Sequence, residues 1–521
     1  MESNDSFWSS TATLPSYAPL EENIETDVAI VGGGITGLTA AMLLADAGKR
    51  VVLLEARTLG SGVSNRSTVH MTEMVDAWYS QIESDFGKEG ARLVAQSSRA
   101  AIDRVSGFVQ ALGIDCAPAR KPGWLYTERE KDVDELAREY EAATRAGLPV
   151  ELHDRVPLPF ATKKGIRFPD QLQVHIARYL AGLASAASAR GARIHERSRV
   201  LTIEDGEPCL LHLENGTLVR ARQVFCATHA PLNRVFLQTK IAAYRSYVVT
   251  YPGVTIADGL YWDTDDPYHY VSPFSIDGTT HVLVGGEDHK TGTEKDTARH
   301  LDALHTWAKQ RLGVGEPSHR WSAQVEEPVD GLPFIGRNSM SEHVFVATGL
   351  SGNGTTFGTI AAMIFADTVH GRANPWRDLY AATRMKPVAS AVTYATENVD
   401  FPMHLVSDRV MPPEARSLAD IPPGEGKTVR VSGERLAVYR DPAGALHAVS
   451  SVCTHLGCLV KFNNAEKTWD CPCHGSRFSV DGAVLDGPAT RPLARRSLEP
   501  ERPSGVVATA DAVPDREAGN Q

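Results

Sequence analysis

The chain has 521 residues, more than one hydrophobic core can organise, so two or three domains are expected. Apolar residues make up 42% and charged residues 22%, and the formal net charge of −11 without any Lys/Arg-rich block argues against a nucleic-acid partner. The opening MESNDSFWSS is polar and acidic, unlike a secretory leader, and no stretch reads as a transmembrane segment, so a cytoplasmic location is expected.

Residues 1–25 hold no periodic pattern, and Pro15 and Pro19 mark an extended lead-in. Val28 to Val31 is a short apolar run of the kind that forms a buried parallel strand. Gly32-x-Gly34-x-x-Gly37 follows, then helical spacing through Thr39 to Ala47 and a second buried strand from Arg50 to Leu54. Gly32 permits a tight turn, Gly34 lets the backbone approach a pyrophosphate, and Gly37 lets helix and strand pack closely. The helix N-terminus offers unpaired N–H groups to the anion. Glu55, closing the second strand, is placed to accept from a ribose hydroxyl. A glycine-rich turn in an ordinary α/β unit would not explain Glu55, so a Rossmann-type dinucleotide site is predicted.

Arg57 and the small, polar stretch Leu59 to Thr68, with Ser64 and Thr68, have the composition of a loop that wraps a cofactor. Here the chain resembles the D-amino-acid-oxidase-like flavoprotein family, whose members carry a similar glycine- and serine-rich loop with an arginine after the ribose acid. The resemblance implies FAD rather than NAD, with Arg57, Ser64 and Thr68 at the cofactor. Ser67-Thr68-Val69-His70 is similar to the Ser-Thr-x-His segment that bonds covalently to flavin in some amine dehydrogenases of that family. Covalent attachment, a noncovalent place beside the flavin and a structural role all stay open for His70.

Ser80 to Leu112 repeats apolar residues at helical spacing, Gly123 to Tyr126 reads as a strand, and Lys131 to Ala146 as a charged helix. Phe168 to Leu183 is expected to be helical, with His175 inside it as a core or capping residue. Arg193 to Cys209 and Leu211 to Leu218 read as strands with turns at Asp205-Gly206 and Glu214-Asn215-Gly216, and Gln223 to Thr228 as a buried strand. Residues 240–290 are β-rich and aromatic, an antiparallel sheet roofing the substrate. Tyr247, Tyr261, Trp262, His269 and Tyr270 are candidates to line it, although alternation lets only one face of each strand reach a pocket. His70, Tyr247, His269 and Tyr270 are the catalytic candidates. Aromatic walls suit a substrate with an apolar body or a cationic amine.

Glu326 to Gly358 returns to the cofactor. Asp330-Gly331-x-Pro333-x-Ile335-Gly336, a strand from Val344 to Ala347, and a glycine-rich turn into a helix from Thr355 resemble the same flavoprotein family. Gly349, Gly352, Asn353, Gly354 and Thr355 are expected at the flavin. A helix N-terminus aimed there would stabilise negative charge on the reduced ring. The expected architecture is an α/β Rossmann-type FAD domain over 26–370 with an inserted antiparallel-sheet substrate domain, mainly 75–175 and 240–325. A proline-punctuated linker over 371–423, expected to lie along the flavin domain, leads to a small all-β domain over 424–505, and 506–521 reads as a tail.

Three of the seven cysteines are scattered; the other four crowd into Cys453 to Cys473, which points to a metal site. The pattern is Cys453-x-His455, fifteen residues, then Cys471-x-x-His474. Two thiolates and two imidazoles can hold either a tetrahedral zinc or a mixed-ligand diiron cluster. CTHLGC with CPCHGS and the later Gly487-Pro488-Ala489 resembles a Rieske 2Fe-2S domain. That resemblance makes Cys453, His455, Cys471 and His474 the ligands. It also implies a Cys458–Cys473 disulfide of the respiratory-type branch and a Ser476 hydroxyl bonded to a cluster sulfur. Phe478 stands where relatives often carry a tyrosine, so one hydrogen bond is lost.

The chain as a whole resembles bacterial FAD-dependent oxidoreductases with C-terminal Rieske domains. The resemblance implies oxidation of an amine or amino-acid C–N bond at the flavin, with electrons leaving singly through the cluster to a soluble carrier or quinone-linked acceptor. No general base is identifiable, and a neutral amine can give up hydride without one. A reductase or monooxygenase-like enzyme fed by ferredoxin, or a redox sensor without turnover, remain the alternatives.

Overall fold

The computed structural model describes residues 5–232, 235–386 and 411–498. Ile24–Val31 pairs in parallel on both sides, with Val51–Leu54 and with Leu218–Cys226. A strand covered on both faces must be apolar throughout its inner length, which is why Val28 to Val31 shows no alternation. The sheet runs Phe334–Arg337, Val344–Thr348, Leu218–Cys226, Ile24–Val31, Val51–Leu54, Arg193–His195, with Cys209–Leu213 and Val200–Glu204 added beside Leu218–Cys226. Helix Ile35–Asp46 packs against helices Ile176–Ala189 and Gly354–Val369. A Cβ on Gly32 would lie 2.4 Å from the Ala227 carbonyl oxygen, and one on Gly37 2.0 Å from that of Gly32. Any side chain there would lift the helix from the sheet.

The second eight-stranded sheet runs His319–Pro328, Ile241–Pro252, Thr279–Lys290, His269–Ile276, Leu260–Asp263, Ala119–Thr127, Lys164–Gln173, Glu151–His153. It is antiparallel except where Leu260–Asp263 meets Ala119–Thr127. Tyr247, Val249, Tyr251, Tyr261 and Val271 point to one face, where Leu304 and Ala308 of helix Ala298–Leu312 cover them. The C-terminal module stacks Gly426–Val431, Glu434–Arg440 and Leu446–Ser450 beside a four-stranded sheet, Lys461–Asn463, Thr468–Asp470, Arg477–Ser479, Val484–Asp486.

Several elements differ from expectation. The lead-in holds a helix, Phe7–Thr11, whose Phe7 and Trp8 are buried; five residues are too few to show a period. Phe168 to Gln173 continues the strand Lys164–Gln173, and the helix begins only at Ile176. His175 precedes that helix and caps it, its Nδ1 accepting from Arg178 N at 3.3 Å. Helix Tyr79–Leu112 is interrupted at Gly87, where φ is 77°. Residues 371–386 lie along the first sheet: Ala381 bridges to Ile335, and Arg384 pairs with Asp330 at 2.6 Å. Residues 411–423 pack instead on the C-terminal module, Ala415 bridging to Val429. The rest of the expected linker and the expected tail lie outside the described residues. Among the described residues no helix is long and apolar enough to cross a membrane.

Candidate functional site

An elongated cavity runs between the first sheet's glycine turns and the open face of the second sheet. Gly32, Gly34, Glu55, Arg57, Ser64, Thr68, Gly352, Asn353, Gly354 and Thr355 line it, as do His70 and Tyr270. Gly37 and Gly349 stand behind the wall; a Cβ on Gly349 would meet Pro328 and Ile241. Glu55 receives the Gly33 N–H at 2.7 Å on one oxygen and the Arg57 N–H at 2.9 Å on the other. The Ser64 hydroxyl oxygen accepts from Ile35 N at 3.0 Å, tying the loop to the helix start. Two tryptophans pin that loop by their indole N–H groups: Trp8 to the Ser67 carbonyl at 2.6 Å and Trp321 to the Arg66 carbonyl at 2.8 Å. Neither was legible as a site residue, because each acts through a backbone oxygen distant in sequence.

At the far end the wall is aromatic. The His70 ring meets Trp262 at 5.0 Å and Tyr270 at 5.8 Å, both edge-on. His70 Nε2 has no hydrogen-bond partner among the described residues. Burial lowers this imidazole to about 3, so it is neutral. The Tyr270 hydroxyl sits 3.0 Å from Ser246 Oγ, and Tyr268 donates to Asp288 at 3.1 Å. Asp76 lies deep in the protein yet open to the cavity, its Oδ2 accepting from Gly352 N at 2.6 Å. Burial raises its carboxyl to about 6. Asp288 is raised to about 7, by burial first and in part by the Asp76 charge.

Tyr247 and His269 are not brought to this cavity. Each precedes or follows by one position a residue that is: Ser246 and Tyr270 face in, so their neighbours face out. Tyr247 meets His289 Nε2 at 3.0 Å and stacks on His300. His269 pairs with Asp263 at 2.9 Å and stacks on Trp307. Burial pulls that imidazole down, but Asp263 and Glu287 more than offset it and hold it at about 9.

In the C-terminal module, Cys453 and Cys471 are buried and their sulfurs interact directly. The His455 and His474 rings sit 5.0 Å apart, nearly perpendicular. Backbone N–H groups of His455 and Leu456 point at the Cys453 sulfur, together with the Ser476 hydroxyl, and those of Cys473 and His474 at the Cys471 sulfur. Burial lowers His455 to about 4 and His474 to about 3, leaving both imidazoles in the neutral form that ligates. A disulfide joins Cys458 and Cys473 across the two loops.

The two sites share a wall. Val484, Leu485, Asp486, Gly487, Ala489 and Thr490 of the C-terminal module line the same cavity as the Gly32 turn. Gln324, also on the cavity wall, lies against Gly475, where a Cβ would come within 2.9 Å of its Nε2 and 2.3 Å of the Ala243 methyl. Gly475 is therefore required there, and it directly follows His474. Around this contact Glu466 receives Arg245 at 2.6 Å and Arg477 at 2.7 Å, all three side chains almost fully buried. Asn464 caps helix Ala298–Leu312 of the first part, its Oδ1 accepting from Thr297 N at 2.9 Å and Ala298 N at 3.1 Å.

The model of the family described as FAD dependent oxidoreductase, DAO, matches residues 27–368. The chain belongs to that family. A Rieske [2Fe-2S] domain matches residues 413–498. A Bacillus subtilis (strain 168) protein, YhfW, named for a Rieske 2Fe-2S iron-sulfur protein, is 34% identical over 502 residues, covering 96% of this chain and 98% of its own. Gamma-glutamylputrescine oxidoreductase of Escherichia coli (strain K12) is 26% identical over 71% of this chain and 90% of its own. Among solved structures, glycine oxidase from Geobacillus kaustophilus shares the fold at a TM-score of 0.61 and 24% identity, over 69% of this chain and 99% of its own.

FAD and a Rieske 2Fe-2S cluster are the cofactors of this oxidoreductase. The residues present fit both. The glycine turn, the Glu55 carboxylate and the Gly354–Val369 helix start line one continuous channel, as a dinucleotide requires. Two buried sulfurs ringed by N–H donors and a pair of neighbouring neutral imidazoles have the donor chemistry of a mixed thiolate–imidazole cluster.

Proposed function

We propose that the enzyme is a dehydrogenase that oxidises the C–N bond of an amine or amino acid and sends electrons singly to an external acceptor. When bound, FAD accepts a hydride equivalent from the carbon beside nitrogen, and the cluster relays the two electrons one at a time. The supporting observation is the shared wall: segment 484–490 lines the flavin cavity, and Gln324 on that wall touches the residue after His474. Gly32, Gly34, Glu55, Arg57, Ser64 and Thr68 would hold the dinucleotide, and Gly352 to Thr355 the flavin end. Cys453, His455, Cys471 and His474 would hold the irons.

His70 and Tyr270 are the residues proposed to orient the substrate. A neutral His70 can accept an N–H from the amine without carrying a competing positive charge. The aromatic wall of Trp262, Tyr268 and Tyr270 excludes water from the reacting carbon. The acceptor is a soluble carrier or a quinone-linked protein, and the location cytoplasmic. The proposed division is 26–370 for the flavin half and 424–505 for the cluster half, with 371–386 packed on the former and 411–423 on the latter. Anaerobic mixing with a panel of secondary and tertiary amines tests this. Flavin bleaching followed by cluster reduction is expected; cluster reduction by ferredoxin with no bleaching by any amine would overturn it.

A further inference from the structure

The aromatic end of the cavity presents acceptors with no cation on its wall among the described residues; Lys121, whose charge reaches His70 from behind, is paired with Asp258 at 2.8 Å. Asp76 projects onto the wall with one carboxylate oxygen held by Gly352 N at 2.6 Å. No Lys or Arg among the described residues pairs with it. Behind Tyr268 and Ser246 stands a second carboxylate, Asp288, whose Oδ1 is buried and has no hydrogen-bond partner among the described residues. His70, 7% exposed and lining the same space, leaves Nε2 similarly unsatisfied. The cavity's arginines point to backbone carbonyls, and none pairs with Asp76. Arg57 donates to the Ser61 carbonyl at 3.0 Å, Arg66 to that of Ser322 at 3.0 Å, and Arg199 to that of Val484 at 3.5 Å.

The buried His70 Nε2 and Asp288 Oδ1 are costly to leave unpaired, and the Asp76 carboxylate is open to the cavity, so this end is built for a donor that arrives with the ligand. An ammonium carries two or three N–H donors and the opposite charge, and the faces of Trp262, Tyr268 and Tyr270 favour a cation as well. An α-amino acid brings a carboxylate beside its nitrogen. Next to Asp76 that group would meet like charge, with no guanidinium to receive it.

We propose that this end of the cavity is an ammonium site in which Asp76 is the primary acceptor, and that the substrate is a cationic amine lacking a carboxylate on the carbon beside nitrogen. The inference rests on the dehydrogenase reading for its placement beside the reacting bond, where the bound ammonium gives one proton to the Asp76 carboxylate before the neutral amine can release hydride, but its recognition chemistry is separable from turnover.

The test uses a matched pair that cannot be oxidised, because neither has hydrogen on the carbon bearing nitrogen. tert-Pentylamine and isovaline differ by one methyl replaced by carboxylate. Calorimetric titration of the holoenzyme is expected to show tert-pentylamine binding at least about tenfold tighter than isovaline. Asp76→Asn, which keeps the Gly352 hydrogen bond, is expected to weaken the amine by about 10–100-fold. Asp76→Glu is expected to retain most of the affinity. Equal or tighter binding of isovaline, no binding of either probe, or an amine affinity unchanged in Asp76→Asn would overturn the proposal. If tert-pentylamine binds through Asp76 while oxidisable n-pentylamine leaves the flavin yellow, the ammonium site stands and the dehydrogenase reading falls.

Discussion

Asp76 is the residue whose environment makes the sharpest demand on conditions. Its carboxyl is raised to about 6 by burial, with Asp288 at about 7 and the phenols of Tyr268 and Tyr270 facing the same space. Above these values both acids are charged and attract an ammonium; below them they are protonated and do not. An alkylammonium keeps its proton across the whole range. Affinity for tert-pentylamine is therefore expected to be level near pH 8 and to fall towards pH 5, and Asp76→Asn to flatten the profile in calorimetry at each pH. At the other cofactor, Phe478 is buried and carries no hydroxyl. Hydrogen bonds to the sulfurs raise a cluster's potential, so Phe478→Tyr is expected to shift the midpoint upward in protein-film voltammetry.

At the scale of elements, short pieces hold the cofactor loop and the docking contacts. Helix Phe7–Thr11 inserts Trp8 into the core and fastens the Ser67 carbonyl. Trp8→Ala is expected to cost about 3–5 kcal/mol in chemical denaturation and to lower the flavin content of the purified protein. Asn464 supplies the cap that helix Ala298–Leu312 lacks from its own Thr297 side chain. Asn464→Ala is expected to cost about 1 kcal/mol, read from the same denaturation curves. Sheet alternation acts on this scale too. It turned four neighbouring aromatic candidates into two that reach the cavity, Trp262 and Tyr270, and two that pack beneath the sheet, Tyr261 and His269.

On the scale of the whole molecule, the two cofactor-bearing parts form one packed body in which a buried carboxylate joins them. Burial raises the Glu466 carboxyl, but the charges of Arg245 and Arg477 more than offset that and hold it far below its ordinary 4.5. The sign follows from the depressed value. The docking contribution is fully present above pH 4.5 and is lost as pH falls below it. Glu466→Gln takes from the buried Arg245 its one carboxylate partner among the described residues, while Arg477 keeps Asp470 and Asp486, and is expected to cost about 3–5 kcal/mol. Differential scanning calorimetry is expected to show the variant's unfolding split into two transitions, and the wild type to approach that behaviour only in strong acid, as pH falls well below 4.5 towards the depressed Glu466 value.

Much of this protein is decided by local sequence. Gly32-x-Gly34-x-x-Gly37 with Glu55 sets a nucleotide turn, because only those glycines leave room for helix, strand and anion. CTHLGC and CPCHGS set the cluster loops, because ligand type and spacing are local properties; the Cys458–Cys473 pairing was implied by the Rieske resemblance, and the disulfide joins those two residues. What depends on chain segments far apart was decided only in three dimensions. The sequence could not say that Asp76 would line one end of a cavity with Asp288 behind its wall, that Tyr247 and His269 would face away from it, or that segment 484–490 would wall the flavin channel. Strand register selects which of two neighbours faces inward, and packing between domains selects which distant surfaces meet; neither leaves a period or a motif in the chain.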